Sequence, residues 1–245
     1  MYVAGGVTGH TGSLVARSLL ERGKRVRAIV RNREHIYHWK DKGAEVVVAD
    51  FNDVQALSLV LEGAKGAYLL TPQSVYDSNP LDKWASQNQS IVSAVKHVRL
   101  ENTVFLSSMG AHLNKHTGLA QALYDAEQKF INAKVPVTLL RAAYFYENWI
   151  PALDAINEKS VLPTFLNPKS SIPMVSVKDV AAVAVDLLLN PVESPRVVEL
   201  SGPRIIRLRT LLISWSKFWA SDWTSCRFLK AVGRKFGVMW VFLMR

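Results

Sequence analysis

A short apolar strand and a glycine turn are joined in Val3-Ala4-Gly5-Gly6-Val7-Thr8-Gly9-His10-Thr11-Gly12. Within this segment Gly6, Gly9 and Gly12 recur at every third residue. Glycine permits a tight turn, lets the backbone approach a phosphate and allows a helix to pack closely on a strand. The unpaired amides at the start of the next helix, together with its macrodipole, favour an anion there. The pattern predicts a phosphate-binding turn, with an ordinary glycine-rich turn as the alternative.

The residues after the turn supply the context that a dinucleotide fingerprint needs. A helix over 11–22 that ends at Gly23 and a strand over 26–31 are predicted next. Strand, turn, helix and strand within about 30 residues are typical of a nucleotide-binding unit. The alternation predicts further strands over 44–49, 67–70, 103–106, 135–140 and 196–200, and further helices after Asp53 and over 80–98, 119–133 and 180–189. We therefore predict an α/β fold with a doubly wound parallel sheet of the Rossmann type and right-handed crossovers.

Beyond residue 143 the pattern loosens, and prolines become frequent. This change predicts a small substrate lobe mainly within 144–175, built onto a nucleotide-binding domain over 1–203. Residues 204–245 differ from the rest of the chain: they are basic and rich in tryptophan. We treat them as an atypical tail.

The end of the second strand indicates which dinucleotide is preferred. A site specific for NAD usually offers an acid to the ribose 2′-hydroxyl about 20 residues past the glycines, whereas a 2′-phosphate needs an arginine. Arg31 and Arg33 occupy that place, and the first acid after the strand is Glu34. The sequence favours NADP(H), with a solvated loop as the alternative reading. Asp50 and Phe51, after the third strand, are candidates to contact the adenine, although an ordinary turn explains them equally well.

The length and the composition of the chain fit a folded domain large enough to be an enzyme. Of the 245 residues, 49% are hydrophobic, which is ample for a core. Cys226 is the single cysteine, which excludes an internal disulfide and fits a reducing compartment. No leader segment is recognised, and no apolar run reaches the roughly 18 residues of a membrane span. We expect a cytoplasmic protein.

The net charge of +10 is concentrated in the tail, which contains nine Lys/Arg and one acid, Asp222. Three explanations stay open for this segment. It is an interaction segment for a membrane surface or nucleic acid, a divergent last helix that closes the substrate lobe, or the product of a reading-frame shift. The last is favoured because the segment has a single acid and lacks clear caps and a clean period. Outside the tail we expect contact with neither nucleic acid nor membrane.

Eight motifs follow one another along the chain: Gly6-Val7-Thr8-Gly9-His10-Thr11-Gly12; Val30-Arg31-Asn32; Leu70-Thr71-Pro72; Leu106-Ser107-Ser108; Tyr124-Asp125-Ala126-Glu127; Leu139-Leu140-Arg141-Ala142-Ala143-Tyr144-Phe145-Tyr146-Glu147-Asn148-Trp149; Ile172-Pro173-Met174-Val175 with Asp179-Val180-Ala181; and Glu199-Leu200-Ser201-Gly202-Pro203. Over residues 2–203 this series resembles the NmrA-like branch of the atypical short-chain dehydrogenases/reductases. The resemblance implies a Rossmann fold that binds NAD(P). It also implies one of two functions: an NAD(P)H-dependent quinone or azo reductase, or a nucleotide-binding redox sensor that regulates a protein partner.

The resemblance carries site residues to matching places in this chain. The turn residues Gly6, Thr8, Gly9, His10, Thr11 and Gly12 would hold the pyrophosphate, and Arg31 the 2′-phosphate. Thr71 and Pro72 would lie at the ribose, and Tyr144 to Asn148 at the nicotinamide and the substrate opening. Ser107 and Ser108 lie where related reductases keep a catalytic serine, and Ser107 is a candidate both for catalysis and for cofactor binding, although a simple strand-ending turn is the alternative.

The chain departs from the short-chain dehydrogenase pattern at the catalytic tyrosine. Tyr-x-x-x-Lys lowers the tyrosine pKa through the lysine, but Tyr124 is followed at that spacing by Gln128, and Lys129 lies about 100° further round the helix. Tyr124 is the candidate catalytic tyrosine, with a role as a core or rim aromatic as the alternative. Ketone reduction would suffer most from this loss, whereas a quinone can take its proton from water. We predict NADPH-dependent reduction of a quinone-like or azo acceptor, or a sensor with little catalysis.

Other kinds of site find no support in the sequence. The six histidines show no metal-site spacing with acidic or cysteine partners, so no metal is expected. A Gly-x-Ser-x-Gly nucleophile turn is also absent from the sequence. The oligomeric state is left open.

Overall fold

The computed structural model describes residues 1–72, 79–115, 117–118, 120–152, 161–164, 166–167, 170–191, 195–203, 205–207, 226–233 and 237–244. The chain divides into two compact units. The first contains Met1–Ala143 and Val177–Leu200, and the second contains Tyr144–Ser176 and Ser201–Arg245.

The elements alternate between strand and helix over most of the first unit. The described elements of both units, in chain order, are β1 (Tyr2–Ala4), α1 (His10–Glu21), β2 (Val26–Val30), a 3-10 turn (Arg33–His35), α2 (Ile36–Lys40), β3 (Glu45–Val48), α3 (Val54–Leu61), β4 (Gly66–Leu69), α4 (Pro80–His97), β5 (Thr103–Ser108), α5 (Ala120–Ala133), β6 (Thr138–Ala142), β7 (Tyr144–Phe145), a 3-10 segment (Tyr146–Ala152), β8 (Val161–Thr164), β9 (Ser171–Val175), α6 (Val177–Leu189), β10 (Arg196–Leu200), β11 (Ile205–Arg207), β12 (Cys226–Gly233) and β13 (Gly237–Met244).

The first unit is built on a seven-stranded sheet in the order β10-β6-β5-β4-β1-β2-β3. Every pair of neighbouring strands in it is parallel. Helices α3, α4 and α5 pack side by side, and α1 packs against α6. The predicted doubly wound α/β sheet is therefore confirmed. Its strand order reverses beside β1, which is where such sheets bind ligands outside the carboxyl ends of their strands.

Local sequence signals account for several boundaries. Gly23 has φ +69°, and its amide and that of Lys24 donate back to Leu20 and Leu19, which ends α1 in a left-handed cap. Asp53 begins α3, because its carboxylate accepts from the amides of Gln55 and Ala56.

Two predicted boundaries are wrong by about three residues. The strand expected over 135–140 begins at Thr138 and runs to Ala142. Pro136 has no amide to donate to a ladder, so regular pairing starts only after it. The helix expected over 180–189 begins at Val177, directly after Ser176, a residue type that favours the N-cap.

The second unit contains two small sheets. In one, β9 pairs in parallel with β7 and antiparallel with β11. In the other, β12 and β13 form an antiparallel hairpin whose second strand also pairs with β8. Where the tail is described it is therefore strand, and the divergent last helix, one of the three explanations, does not occur in these residues. Trp215, Trp219 and Trp223 lie outside the described residues, and Trp240 lies in β13.

Candidate functional site

Two of the three turn glycines are required by the backbone itself. Gly6 has φ +64°, a conformation that residues with a side chain rarely adopt. At Gly12 an added Cβ would lie 2.3 Å from the carbonyl oxygen of Gly5 and 2.4 Å from that of Gly6. The first turn of α1 therefore lies directly on the end of β1, where only glycine fits.

Gly9 has a different environment. Its backbone is extended, and an added Cβ would meet only the Gly6 carbonyl oxygen, at 3.4 Å. Gly9 is the N-cap of α1, with no side-chain cap hydrogen bond and no acid in the first turn of the helix. The missing side chain leaves space in front of unpaired amides, which is what a bound phosphate needs.

A cleft of about 550 Å³ opens beside this turn, within the first unit. Its wall includes turn residues, one face of α1, and the segment after β2: Val7, Thr8, Gly9, His10, Ser13, Leu14, Arg17, His35, His38, Trp39 and Val177. None of these lining residues is an acid, although Glu34 pairs with His35 at 3.3 Å. The cleft therefore favours an anionic ligand.

The sequence prediction missed most of the residues that line this cleft. His10, Ser13, Leu14 and Arg17 follow the i, i+3, i+4, i+7 spacing of one helix face, a signal that was available in the sequence. His35, His38 and Trp39 could not be placed in the same way, because the 3-10 turn that precedes α2 sets their direction.

Other predicted cofactor residues do not line the cleft. Arg31 is exposed at the end of β2. Asp50 is exposed too, and its carboxylate accepts from the amide and the side chain of Asn52, both at 2.9 Å, so it forms the ordinary turn. Phe51 is 2% exposed and belongs to the core. Its ring lies beside Gly5, where an added Cβ would be 3.3 Å from it, and the contact of Phe51 with an adenine stays a prediction.

Thr71 lies just past β4 and is buried. Its hydroxyl is 2.5 Å from Oδ1 of Asn88 in α4. Nδ2 of Asn88 donates to the Ala122 carbonyl oxygen at 2.8 Å and to the Asp125 carboxylate at 2.9 Å. The end of β4 is thereby tied to α4 and α5. Pro72, which follows, is half-buried.

Ser107 lies at the end of β5, opposite Arg141 of β6, which in turn lies opposite Glu199 of β10. Glu127 of α5 covers this row and is 1% exposed. It accepts from the Ser107 hydroxyl at 2.5 Å and from Nε and an Nη of Arg141 at 3.0 and 2.6 Å. The bond to Glu127 raises the pKa of Arg141 above its ordinary value, against the effect of burial.

Tyr124 is half-buried on α5. The neighbouring Lys129 forms an ion pair with Asp125, one turn before it on the same helix. That lysine is therefore held by a carboxylate and offers Tyr124 no substitute for the missing Tyr-x-x-x-Lys partner.

Tyr144 and Asn148 belong to the second unit. Burial raises the pKa of Tyr144, and hydrogen bonding to the Asn148 side chain opposes this. Tyr144 also packs on Trp149, with ring centroids 5.7 Å apart. Ser176, which precedes α6, donates to the Glu147 carboxylate at 2.9 Å.

Within the described ranges, no group of three or more His, Cys, Asp or Glu side chains could hold a metal ion. His116 lies outside them. No helix of the described residues is long and apolar enough to span a membrane.

Comparison with known proteins gives one family. A sequence model of the NmrA-like family matches residues 2–218, which is 15 residues beyond the point where the motif series ends. The family match therefore enters the atypical tail.

Individual relatives are distant. An NAD(P)H azoreductase of Xenophilus azovorans is 22% identical over 84% of this chain and 69% of its own length. The photosystem II assembly factor Ycf39 of Trieres chinensis is 24% identical over 81% of this chain and 63% of its own length. Among solved structures, the NADPH complex of an NADPH-dependent quinone oxidoreductase from Escherichia coli has a TM-score of 0.77 at 24% identity and covers 91% of this chain and 76% of that one.

Proposed function

The chain belongs to the NmrA-like family, and on this premise we propose that it binds NADPH at the glycine turn and reduces a quinone-like or azo acceptor. The observation that carries the proposal is the open start of α1. Gly9 leaves space in front of unpaired amides, and no acid lines the cleft beside it. A pyrophosphate fits such a place, because it brings negative charge and needs close approach to the backbone.

The proposed preference for NADPH rests on the end of β2. Arg31 and Arg33 are exposed there, and a guanidinium can hold a 2′-phosphate with two hydrogen bonds. We expect Arg31→Ala to weaken NADPH binding about tenfold and to leave NADH binding unchanged, which equilibrium titration measures. Arg22→Ala is the matched control, since Arg22 is an exposed arginine at the other end of α1. Equal losses in both variants would refute a specific role for Arg31.

The choice of acceptor rests on the groups that could move a proton. Tyr124 has Gln128 where a lysine is expected, and Lys129 is paired with Asp125. A bound reduced nicotinamide supplies a hydride, after which a reduced quinone takes its remaining hydrogen as a proton from water. The protein then has to position the acceptor and need not supply a tuned acid. The relative named as an azoreductase is consistent with acceptors of this class.

NADPH turnover with a quinone, an azo dye and an aldehyde, measured side by side on the full chain, tests this function. We expect oxidation of NADPH with the quinone or the azo dye and little with the aldehyde, because aldehyde reduction needs a proton donor at the developing oxyanion. Preference for the aldehyde would contradict the proposal.

A second candidate function is an NADP(H)-binding regulator of a protein partner. Two observations favour it: a relative is named as an assembly factor, and Tyr124 lacks its lysine. Under this function the chain binds NADPH but oxidises none with any acceptor. The same assay therefore separates the two functions.

A further inference from the structure

Two adjacent strands, β4 and β5, lead to buried hydroxyl groups. The hydrogen-bond partner of each hydroxyl determines whether that hydroxyl donates or accepts. Thr71 and Ser107 are 4% and 3% exposed. The parallel pairing of β4 and β5 aligns Leu69 with Phe105, and two more residues along each chain lead to Thr71 and Ser107. Both hydroxyls thus lie at the carboxyl edge of the sheet, where a doubly wound fold binds its ligand.

At Thr71 the direction is fixed by Asn88. The amide nitrogen of Asn88 donates to the Ala122 carbonyl and the Asp125 carboxylate, and both of these groups can only accept. The oxygen of the Asn88 amide therefore faces Thr71, so the Thr71 hydroxyl must donate its hydrogen.

At Ser107 the direction is fixed by Glu127. Both carboxylate oxygens of Glu127 accept from the Arg141 guanidinium, and one of them also lies 2.5 Å from the Ser107 hydroxyl. A carboxylate that is paired in this way has no hydrogen to give, so the Ser107 hydroxyl also donates inward.

We propose that Thr71 and Ser107 act toward a ligand only as hydrogen-bond acceptors, and that Asn88 and Glu127 are the positioning residues that impose this direction. The inference rests on the proposed function, and it narrows the chemistry of that site. Ligand groups that donate, such as ribose hydroxyls and a carboxamide N–H, are bound by these two residues. A developing oxyanion is not, because neither hydroxyl has a hydrogen left for it. Ser107, predicted above for both catalysis and cofactor binding, then keeps only the binding role.

The test combines affinity and turnover in single-hydroxyl variants. We expect Thr71→Val and Ser107→Ala to weaken NADP⁺ binding by titration calorimetry about 3- to 10-fold, the value of one neutral hydrogen bond. Thr71→Ser keeps the hydroxyl and should bind within about 2-fold of the unmodified protein. Thr103→Val is the matched control, because it removes a buried hydroxyl at the opposite end of β5.

Turnover separates an acceptor from an oxyanion donor. Ser107→Ala should change kcat for a quinone by less than about 3-fold, whereas removal of a donor to an oxyanion costs about 100- to 1,000-fold. A loss of that size overturns the proposal, and so does unchanged NADP⁺ binding in both Thr71→Val and Ser107→Ala. If the unmodified chain binds no NADP⁺, the proposed function itself fails. If every variant binds NADP⁺ as the unmodified chain does, only the proposal for Thr71 and Ser107 fails.

The role of Glu127 is tested by a double-mutant cycle on NADP⁺ affinity. Glu127→Gln supplies an amide that can donate to Ser107 and so frees the serine to turn. If Glu127 acts through Ser107, the loss caused by Ser107→Ala shrinks to less than about 2-fold in the Glu127→Gln background. Strict additivity of the two losses would contradict the positioning role. Thermal unfolding of each variant identifies any that fails to fold.

Discussion

Gly9 and Gly12 lie three residues apart in the same turn, yet glycine is needed at each for a different reason. At Gly12 a Cβ would meet two backbone oxygens that cannot move aside, and at Gly9 it would meet only the Gly6 carbonyl oxygen, at 3.4 Å. Glycine is therefore required at Gly12 by the fold, whereas at Gly9 it is required only by the proposed ligand. Sequence spacing alone gives the two glycines the same weight.

This difference predicts a large loss of stability for an alanine at Gly12 and a small one for an alanine at Gly9. Gly12→Ala should lower the free energy of unfolding by about 3 kcal/mol or more, because the clash lies with backbone at 2.3 and 2.4 Å. Gly9→Ala should stay within about 1 kcal/mol of the unmodified chain. Urea unfolding of both variants provides the comparison. Equal destabilisation would show that the two glycines are not distinct in this way.

Tyr68 of β4 is fully buried, and its hydroxyl has no hydrogen-bond partner among the described residues. Burial raises the pKa of Tyr68 well above its ordinary value of 10.0, while the nearby Thr11 hydroxyl, outside good hydrogen-bond geometry, opposes this weakly. The folded state thus holds the phenol proton more tightly than the unfolded chain does. Its contribution to stability is complete below pH 10 and is lost as the pH rises above that value.

Tyr68→Phe should therefore act in two ways. Near neutral pH the free energy of unfolding should rise by about 1 kcal/mol, because an unpaired buried hydroxyl is removed. Above pH 10 the variant should lose less stability than the unmodified chain does. Denaturant unfolding at neutral and alkaline pH measures both effects. A large loss of stability at neutral pH would instead mean that the hydroxyl is satisfied, for example by a buried water.

Among the elements, α5 is held to the sheet by polar contacts as well as apolar ones. Glu127 carries a charge into a site where it is 1% exposed, and Arg141 of β6 neutralises it with two hydrogen bonds. Glu199 of β10 adds a weaker contact to the same guanidinium at 3.4 Å and is half-exposed. The stability of this junction depends on Arg141, with little contribution from Glu199.

Arg141→Met should cost about 3–5 kcal/mol in the free energy of unfolding, because Glu127 is left buried without its partner. Glu199→Gln is the control, and it should cost less than about 1 kcal/mol, since solvent screens that pair. Chemical denaturation of the two variants tests this order. Similar losses of stability in both variants would mean that the buried Arg141–Glu127 pair stabilises the fold no more than the exposed Arg141–Glu199 pair does.

The sequence predicted the strands and helices of the sheet well, but it predicted the cleft poorly. Alternating strands and helices, with Gly23 and Asp53 at the correct ends, are local signals, and they led to the observed sheet. The cleft depends on a 3-10 turn that places His35 and Trp39 in the same cleft wall as residues of α1, and no periodic signal marks it. Phe51 shows a related difficulty, since a residue at a strand end can face the core or the ligand with the same sequence pattern.

For the whole molecule the tail is the least expected part. Its described residues form β12 and β13, and β13 has a neighbour on each side because it also pairs with β8. A strand paired on both sides protects its amides from exchange. Hydrogen exchange on the full chain should therefore find β13 slower than β12, one edge of which is unpaired in its sheet. Exchange at the rate of a free chain throughout 226–244 would contradict the hairpin and favour the reading-frame explanation.

Calorimetric titration of NADPH into the full chain and into Gly9→Ala measures whether the open turn at Gly9 holds the phosphates of NADPH. We predict saturable binding to the unmodified chain at one site. The variant should bind at least about tenfold more weakly, because its methyl group occupies the space that the phosphate needs. NADPH binding of equal strength by both proteins, with Gly9→Ala folded, would show that the phosphates do not lie at this turn.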